Sequence, residues 1–173
     1  DALPDDLKEE KLITQKAGLN SEEHPATYSP TMMEGFINFF TKEGETVLDP
    51  FAGIGSTLVA CDRTGRKGIG IELNKKYCEI IKLRTKSKVI NGNSKEIVKL
   101  LRKMKLEKID FSISSPPYWD ILNRSTATFE KVRKVKNLDI NYSEEAEDIG
   151  NINAYDDFID VLLAAIFGYI FLA

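Results

Sequence analysis

The chain has 173 residues, 42% hydrophobic and 29% charged, with a formal net charge of −3. That length suits one domain with a real core, and the composition excludes disordered, collagenous and membrane-embedded classes. Cys61 and Cys78 lack metal-ligand spacing such as C-x₂-C, so no metal site is expected and both read as buried helix thiols.

The charge is unevenly spread. Residues 1–62 carry 4 basic and 12 acidic side chains, residues 63–108 carry 15 and 4, and residues 109–173 carry 5 and 11. A basic middle between acidic flanks is either a phosphate-facing surface or a set of solvated helix faces. No signal peptide is recognisable. The apolar tail Val161–Ala173 is 13 residues long, whereas a bilayer span takes about 20. No membrane contact is expected, and the cytoplasm is the default. The chain opens on Asp1 rather than Met, which points to a processed or trimmed chain.

Residues 1–23 are polar without a clear period and read as an arm, with room for one helical turn. The domain then spans residues 24–173. His24-Pro25-Ala26-Thr27-Tyr28-Ser29-Pro30 is extended and turning, because two prolines fix it. His24 is the only histidine and reads as a capping or packing residue. Pro30 suits the first turn of a helix, with Met33, Phe36, Ile37 and Phe40 as its apolar face.

A strand over Thr46–Leu48 ends at Asp49. The stretch Asp49-Pro50-Phe51-Ala52-Gly53-Ile54-Gly55 turns sharply into a helix over Ser56–Thr64, which Gly65 closes. Glycines in such a turn let backbone approach a ligand, and the helix start offers free N–H groups. A dinucleotide fingerprint wants a third glycine where Leu58 stands, and a P-loop wants a lysine that does not follow Gly55. A second strand, Lys67–Glu72, ends in a carboxylate 17 residues after Gly55. An acid there is suited to two ribose hydroxyls, since a carboxylate accepts both hydrogen bonds at once.

Asn74 caps a helix over Lys75–Lys86. Val89–Asn93 is a third strand and turn, followed by an amphipathic helix over Ser94–Met104. Ile109–Ser114 reads as a fourth strand and ends in Ser115-Pro116-Pro117-Tyr118. Residues 121–153 are a long polar loop, and residues 154–173 an apolar helix. Strand alternating with helix predicts an α/β fold, a doubly wound and mostly parallel sheet. Ligands in such sheets sit at the carboxyl ends of the strands. That rule puts the glycine turn, Glu72, Asn93 and the Ser-Pro-Pro-Tyr loop in one site.

Two motifs carry a family resemblance: Asp-Pro-Phe-x-Gly-x-Gly at 49–55 and Ser-Pro-Pro-Tyr at 115–118. In this order and spacing they resemble the S-adenosyl-L-methionine-dependent amino-methyltransferases that act on DNA bases. The resemblance covers roughly residues 24–120 and weakens toward 165. It implies a Rossmann-like methyltransferase fold, S-adenosyl-L-methionine as cofactor, and DNA with a flipped target base as partner, as in restriction–modification systems. Carried over, Thr27 and Tyr28 hold the methionine part, with Ser29 a weaker candidate. Asp49, Pro50, Phe51, Ala52, Gly53, Gly55, Ser56 and Thr57 form the cofactor turn, and Glu72 with Leu73 holds the ribose. Asn93 stands where the family often has Asp against the adenine amine.

Ser115, Pro116, Pro117 and Tyr118 are the implied catalytic loop. Serine in first place leans toward cytosine N4, with adenine N6 the alternative. The resembled fold continues with further strands and a target-recognition region, which these residues lack. Either the chain is a fragment, cut after the fourth or fifth strand region, or a second chain supplies the rest. A cofactor-binding remnant without turnover, and an RNA or protein methyltransferase, stay open as alternatives.

Overall fold

The computed structural model describes residues 11–15, 18, 28–106, 108–119 and 148–167. Residues 11–15 make a helical turn within the expected arm. Helix α1 (Pro30–Phe40) begins where Ser29 accepts the Thr31 N–H at 3.1 Å. Ser29 is therefore a helix cap, and Pro30 sits in the first turn, where no donor is needed. The buried face of α1 is Pro30, Met33 and Ile37. Phe36 and Phe40, expected on that face, are exposed. The contact is a single i, i+4 stripe, too narrow to take them in. Phe40 instead stacks on the Phe111 ring, with centroids 5.1 Å apart.

The chain then alternates as its pattern predicts. β1 (Thr46–Asp49), α2 (Ser56–Arg63), β2 (Lys67–Glu72), α3 (Lys75–Arg84) and β3 (Lys88–Asn91) follow one another. A 3₁₀ turn (Ser94–Glu96) runs into α4 (Ile97–Lys103), and β4 (Phe111–Ser112) completes the sheet. The strand order is β3-β2-β1-β4, every pair parallel. Parallel neighbours need crossover connections, so helices cover both faces and the strands are apolar on both.

On β1, Val47 and Leu48 point to opposite faces, and both are fully buried. Val47 packs with Met33, Ile37, Ala60 and Cys61 beneath α1 and α2. Leu48 packs with Ile69, Ile71, Ile97 and Leu101 beneath α4. Each such aliphatic side chain contributes about 1.5–3 kcal/mol by leaving water. Gly70 lets α2 lie directly on β2, since a Cβ there would stand 2.7 Å from Leu58 Cδ1 and 2.8 Å from Ala52 Cβ.

β4 is shorter than the expected strand over 109–114. Its ladder nevertheless continues on both sides: Asp110 donates to the Thr46 carbonyl at 2.9 Å and Ile113 to the Leu48 carbonyl at 3.0 Å. The expected loop 121–153 lies mostly outside the described residues. Its end is not loose. Asp148 accepts the Gly150 N–H at 2.8 Å and caps a 3₁₀ turn (Ile149–Asn151), all but Asn151 buried. α5 (Tyr155–Phe167) follows.

Among the described residues no helix is long and apolar enough to cross a membrane, and no three potential metal ligands cluster. Both cysteines are buried free thiols, and burial pushes each up to about 12. Neither is a nucleophile near neutral pH.

Gly55 owes its place to packing as well as to its turn. Its φ is +86°, and a Cβ would sit 2.8 Å from Ile81 Cγ1 on α3. Gly55→Ala is expected to destabilise the fold by about 2 kcal/mol or more. A thermal melt checks this, and an unchanged midpoint would refute it.

Candidate functional site

From β1 the chain builds β2 and β3 on one side, then crosses back to lay β4 on the other. The crevice at such a reversal, outside the carboxyl ends of the strands, is where a doubly wound sheet takes its ligand. A cavity with about 800 Å³ of free space, its open mouth included, lies there. Most of its wall comes from four stretches distant in sequence. The glycine turn supplies Pro50, Phe51, Ala52, Gly53, Ile54 and Ser56; the end of β2 supplies Ile71, Glu72 and Leu73. Asn93 and Ser94 follow β3, and Ser115 and Pro117 follow β4. Tyr28, Tyr77, Asp148 and Ile149 complete it.

Glu72 is the central acid. Its Oε2 accepts the Gly53 N–H at 2.8 Å and its Oε1 the Asn74 N–H at 2.7 Å. The carboxylate thus staples the turn to the end of β2. Each oxygen has a second lone pair, so two ligand hydroxyls can still be accepted. Burial pushes Glu72 up to about 8, against the two backbone donors, and the charges of Asp148 and Asp49 push it the same way. Hydroxyl donors favour the ionised form. Affinity for a ribose-bearing ligand is therefore expected to rise as pH climbs from 6 to about 8, level off above, and release a proton below. Calorimetry across that range checks it; a flat profile would remove Glu72 from ribose contact.

Asp49 is fully buried and is not part of the cavity wall. Its Oδ1 accepts the Phe51 N–H at 3.1 Å and the Ser114 hydroxyl at 2.6 Å. Its Oδ2 accepts the Tyr28 hydroxyl at 3.1 Å. The Tyr28 oxygen also lies 2.8 Å from Thr57 Oγ1. Either hydroxyl can donate in that second bond. Burial holds the Asp49 carboxyl above the usual carboxylate range and, with the Asp49 charge, the Tyr28 phenol above its own.

The remaining expected residues divide. Ser56 lines the cavity, and its buried hydroxyl has no hydrogen-bond partner among the described residues. An orphaned buried hydroxyl at a helix start suits a polar ligand group. Asn93 lines the cavity and also caps the turn after it, accepting the Lys95 N–H at 2.9 Å. Its oxygen is thus partly committed. Gly55 and Thr57 lie outside the wall, as do Pro116 and the half-exposed Tyr118. Thr27 and His24 lie outside the described residues.

Ile54, Ile71, Tyr77, Ser94, Asp148 and Ile149 line the cavity without having been singled out from the sequence. Ser94 read as a helix start, and its hydroxyl in fact donates to the Pro50 carbonyl. Asp148 and Ile149 sat inside a polar stretch with no period, so nothing local marked them.

A family model for DNA methylases of the N6/N4 methyltransferase type matches residues 5–83. A type II methyltransferase of Streptococcus pneumoniae is 39% identical over 72 residues, covering 42% of this chain and 27% of that protein. A tRNA (guanine(10)-N2)-dimethyltransferase of Methanocaldococcus jannaschii is 29% identical over 121 residues, covering 65% of this chain and 33% of that protein. The chain thus spans about a quarter to a third of the length of these relatives. An O-methyltransferase of Bacillus cereus shares the fold, with a TM-score of 0.50 and 17% identity over 77% of this chain and 62% of that one. The Rossmann-like methyltransferase fold is therefore that of this chain. Over residues 5–83 it is similar in sequence to the DNA methylases of that family model and to type II methyltransferases.

Proposed function

We propose that the protein binds S-adenosyl-L-methionine in this cavity and moves its methyl group to the exocyclic amine of a nucleic-acid base, with cytosine N4 in DNA as the leading acceptor. The observation that carries the reading is the convergence of the glycine turn, Glu72, Asn93, Ser115 and Pro117 on one cavity at the sheet's reversal point. The residues fit the cofactor. Glu72 offers carboxylate oxygens for ribose hydroxyls, Ser56 an orphaned hydroxyl, and Phe51, Ile54, Ile71 and Ile149 apolar walls for an adenine ring. The cofactor, when bound, supplies a methyl group already activated by its sulfonium.

What the chain's own residues add is mainly positioning, which can contribute several kcal/mol or more. An exocyclic amine is a poor nucleophile because its lone pair is delocalised into the ring. The Ser115 hydroxyl and the Pro116 carbonyl accept its N–H bonds and draw the nitrogen toward tetrahedral geometry. Two prolines stiffen the loop, so these acceptors stay aimed. Tyr118, half-exposed at the rim, offers its face to a base turned out of the duplex. Stacking of that kind is worth roughly 1–3 kcal/mol and offsets part of the flipping cost of a few kcal/mol. The proton leaves to water after transfer, so no strong general base is required.

The basic middle third has mixed duties. Lys82, Lys99 and Lys108 pair with Glu79, Glu96 and Asp110 at 2.7, 2.8 and 2.6 Å. Arg66 ties the end of α1 to the end of α2 through the Thr41 and Thr64 carbonyls. The exposed Lys75, Lys86, Lys88, Lys95 and Lys103 lie on α3, β3, α4 and their turns. These are our candidates for phosphate contact.

A second reading has a specific support. The tRNA methyltransferase of M. jannaschii aligns over more of this chain than the S. pneumoniae DNA enzyme does, and guanine N2 is also an exocyclic amine. Transfer of labelled methyl to duplex DNA and to tRNA in parallel, followed by nucleoside analysis, separates the readings. N4-methylcytosine is the expected product, N6-methyladenine would reassign Ser115, and label in tRNA alone would replace DNA with RNA. Cofactor binding without label in either would overturn turnover by this chain alone.

A further inference from the structure

We infer that Asp49 is a positioning residue that sets the Ser115–Tyr118 loop against the glycine turn through Ser114. The inference deepens the methyl-transfer reading and rests on it for its consequence, but not for its geometry. Asp49 Oδ1 is shared by two donors: the Phe51 N–H inside the turn at 3.1 Å, and the Ser114 hydroxyl at 2.6 Å. Ser114 is the last residue before the loop. One oxygen atom thus fixes the separation of the two walls that the cofactor and the acceptor base would occupy.

The other oxygen, Oδ2, takes the Tyr28 hydroxyl, and so anchors a third wall to the same carboxyl group. Asp49 itself is fully buried and outside the cavity, so it can act on a ligand only through these partners. A buried carboxyl in an apolar strand end is a costly way to fill space, since an aliphatic residue would need no donors. What it supplies instead is direction, because three hydrogen bonds fix three segments at defined angles. The β4–β1 ladder ends with the Ile113 N–H on the Leu48 carbonyl, one residue before Ser114, so it does not itself reach the loop.

The loop carries its own reporter, since Trp119 is the only tryptophan in the chain and directly follows Tyr118. Its ring meets Tyr155 of α5 edge-on, with centroids 5.0 Å apart. The test is acrylamide quenching of Trp119 emission in the full chain, without cofactor, in Ser114→Ala and Ser114→Thr. Ser114→Ala is expected to raise the quenching constant about twofold or more with circular dichroism unchanged, as a locally released segment should. Ser114→Thr, which keeps the hydroxyl, is expected to restore it. Quenching in Ser114→Ala equal to that of the parent would overturn the proposal, as would failure of Ser114→Thr to rescue.

S-adenosylhomocysteine titrated by calorimetry into the parent and the same variants gives a separate readout. Affinity in Ser114→Ala is expected within about threefold of the parent, because the altered group lies on the loop side. A tenfold loss would make Ser114 part of the cofactor site instead and sink the positioning role. A parent chain that fails to bind S-adenosylhomocysteine would end the functional reading, while the quenching result still decides the contact.

Discussion

Tyr118→Ala is expected to lower methyl transfer to a nucleic-acid base by about 10- to 100-fold while leaving S-adenosylmethionine affinity within about twofold. The split follows from position. Tyr118 is 53% exposed and does not line the cavity, so no cofactor contact is removed with its ring. Its place directly after Ser115-Pro116-Pro117 sets it where an extruded base would need an aromatic face. Losing roughly 1–3 kcal/mol of stacking accounts for the range. Tyr118→Phe, which keeps the ring and drops only the hydroxyl, is expected to stay close to the parent. Steady-state transfer assays beside calorimetry supply both numbers. Full turnover in Tyr118→Ala would show that the ring does not touch the base.

Glu72→Ala is expected to weaken S-adenosylmethionine binding by about 100-fold or more, since two charge-assisted hydrogen bonds of roughly 1.5–3 kcal/mol each are removed. The structure adds a second consequence. Glu72 already accepts the Gly53 and Asn74 N–H groups, so its loss leaves two backbone donors unmatched beside the turn. The melting temperature of the ligand-free variant is expected to fall as well, with a cost of about 1–3 kcal/mol. Glu72→Gln is not a conservative control. Its amide nitrogen would face one of those N–H groups, donor to donor. A drop in melting temperature with unchanged affinity would leave Glu72 as a staple of the turn and take away its ligand role.

Those two residues stood out in the sequence for different reasons. Glu72 was legible because its signal is local: a carboxylate ending an apolar strand, at a set distance past a glycine turn. Tyr118 was legible through its tetrapeptide. The same locality explains the fold. Alternating strand and helix patterns, a capping Asn74 and a proline at the head of α1 are short-range features, and each formed within a few residues of its expected bounds. Phe36 and Phe40 mark where this fails. Helical spacing placed them on the buried face, but the width of the α1 contact left both about half exposed, with Phe40 stacked on Phe111 instead.

The sequence by itself determined the order of elements, the turn, the acid at the end of β2 and the motif pair that carries the family resemblance. All of these depend on neighbours along the chain. The tertiary structure decided which side chains of those stretches line the cavity and which oxygen answers which donor. Asp49 stood out through its motif, and the structure adds that its carboxyl is a buried junction for Phe51, Tyr28 and Ser114. Gly55 read as a concession to a ligand, yet its missing Cβ makes room for Ile81. Asp148 and Ile149 carried no local signal and still form part of the wall. In each case the deciding contact spans tens of residues. Its geometry is set by how helices pack on a parallel sheet, which no short-range pattern encodes.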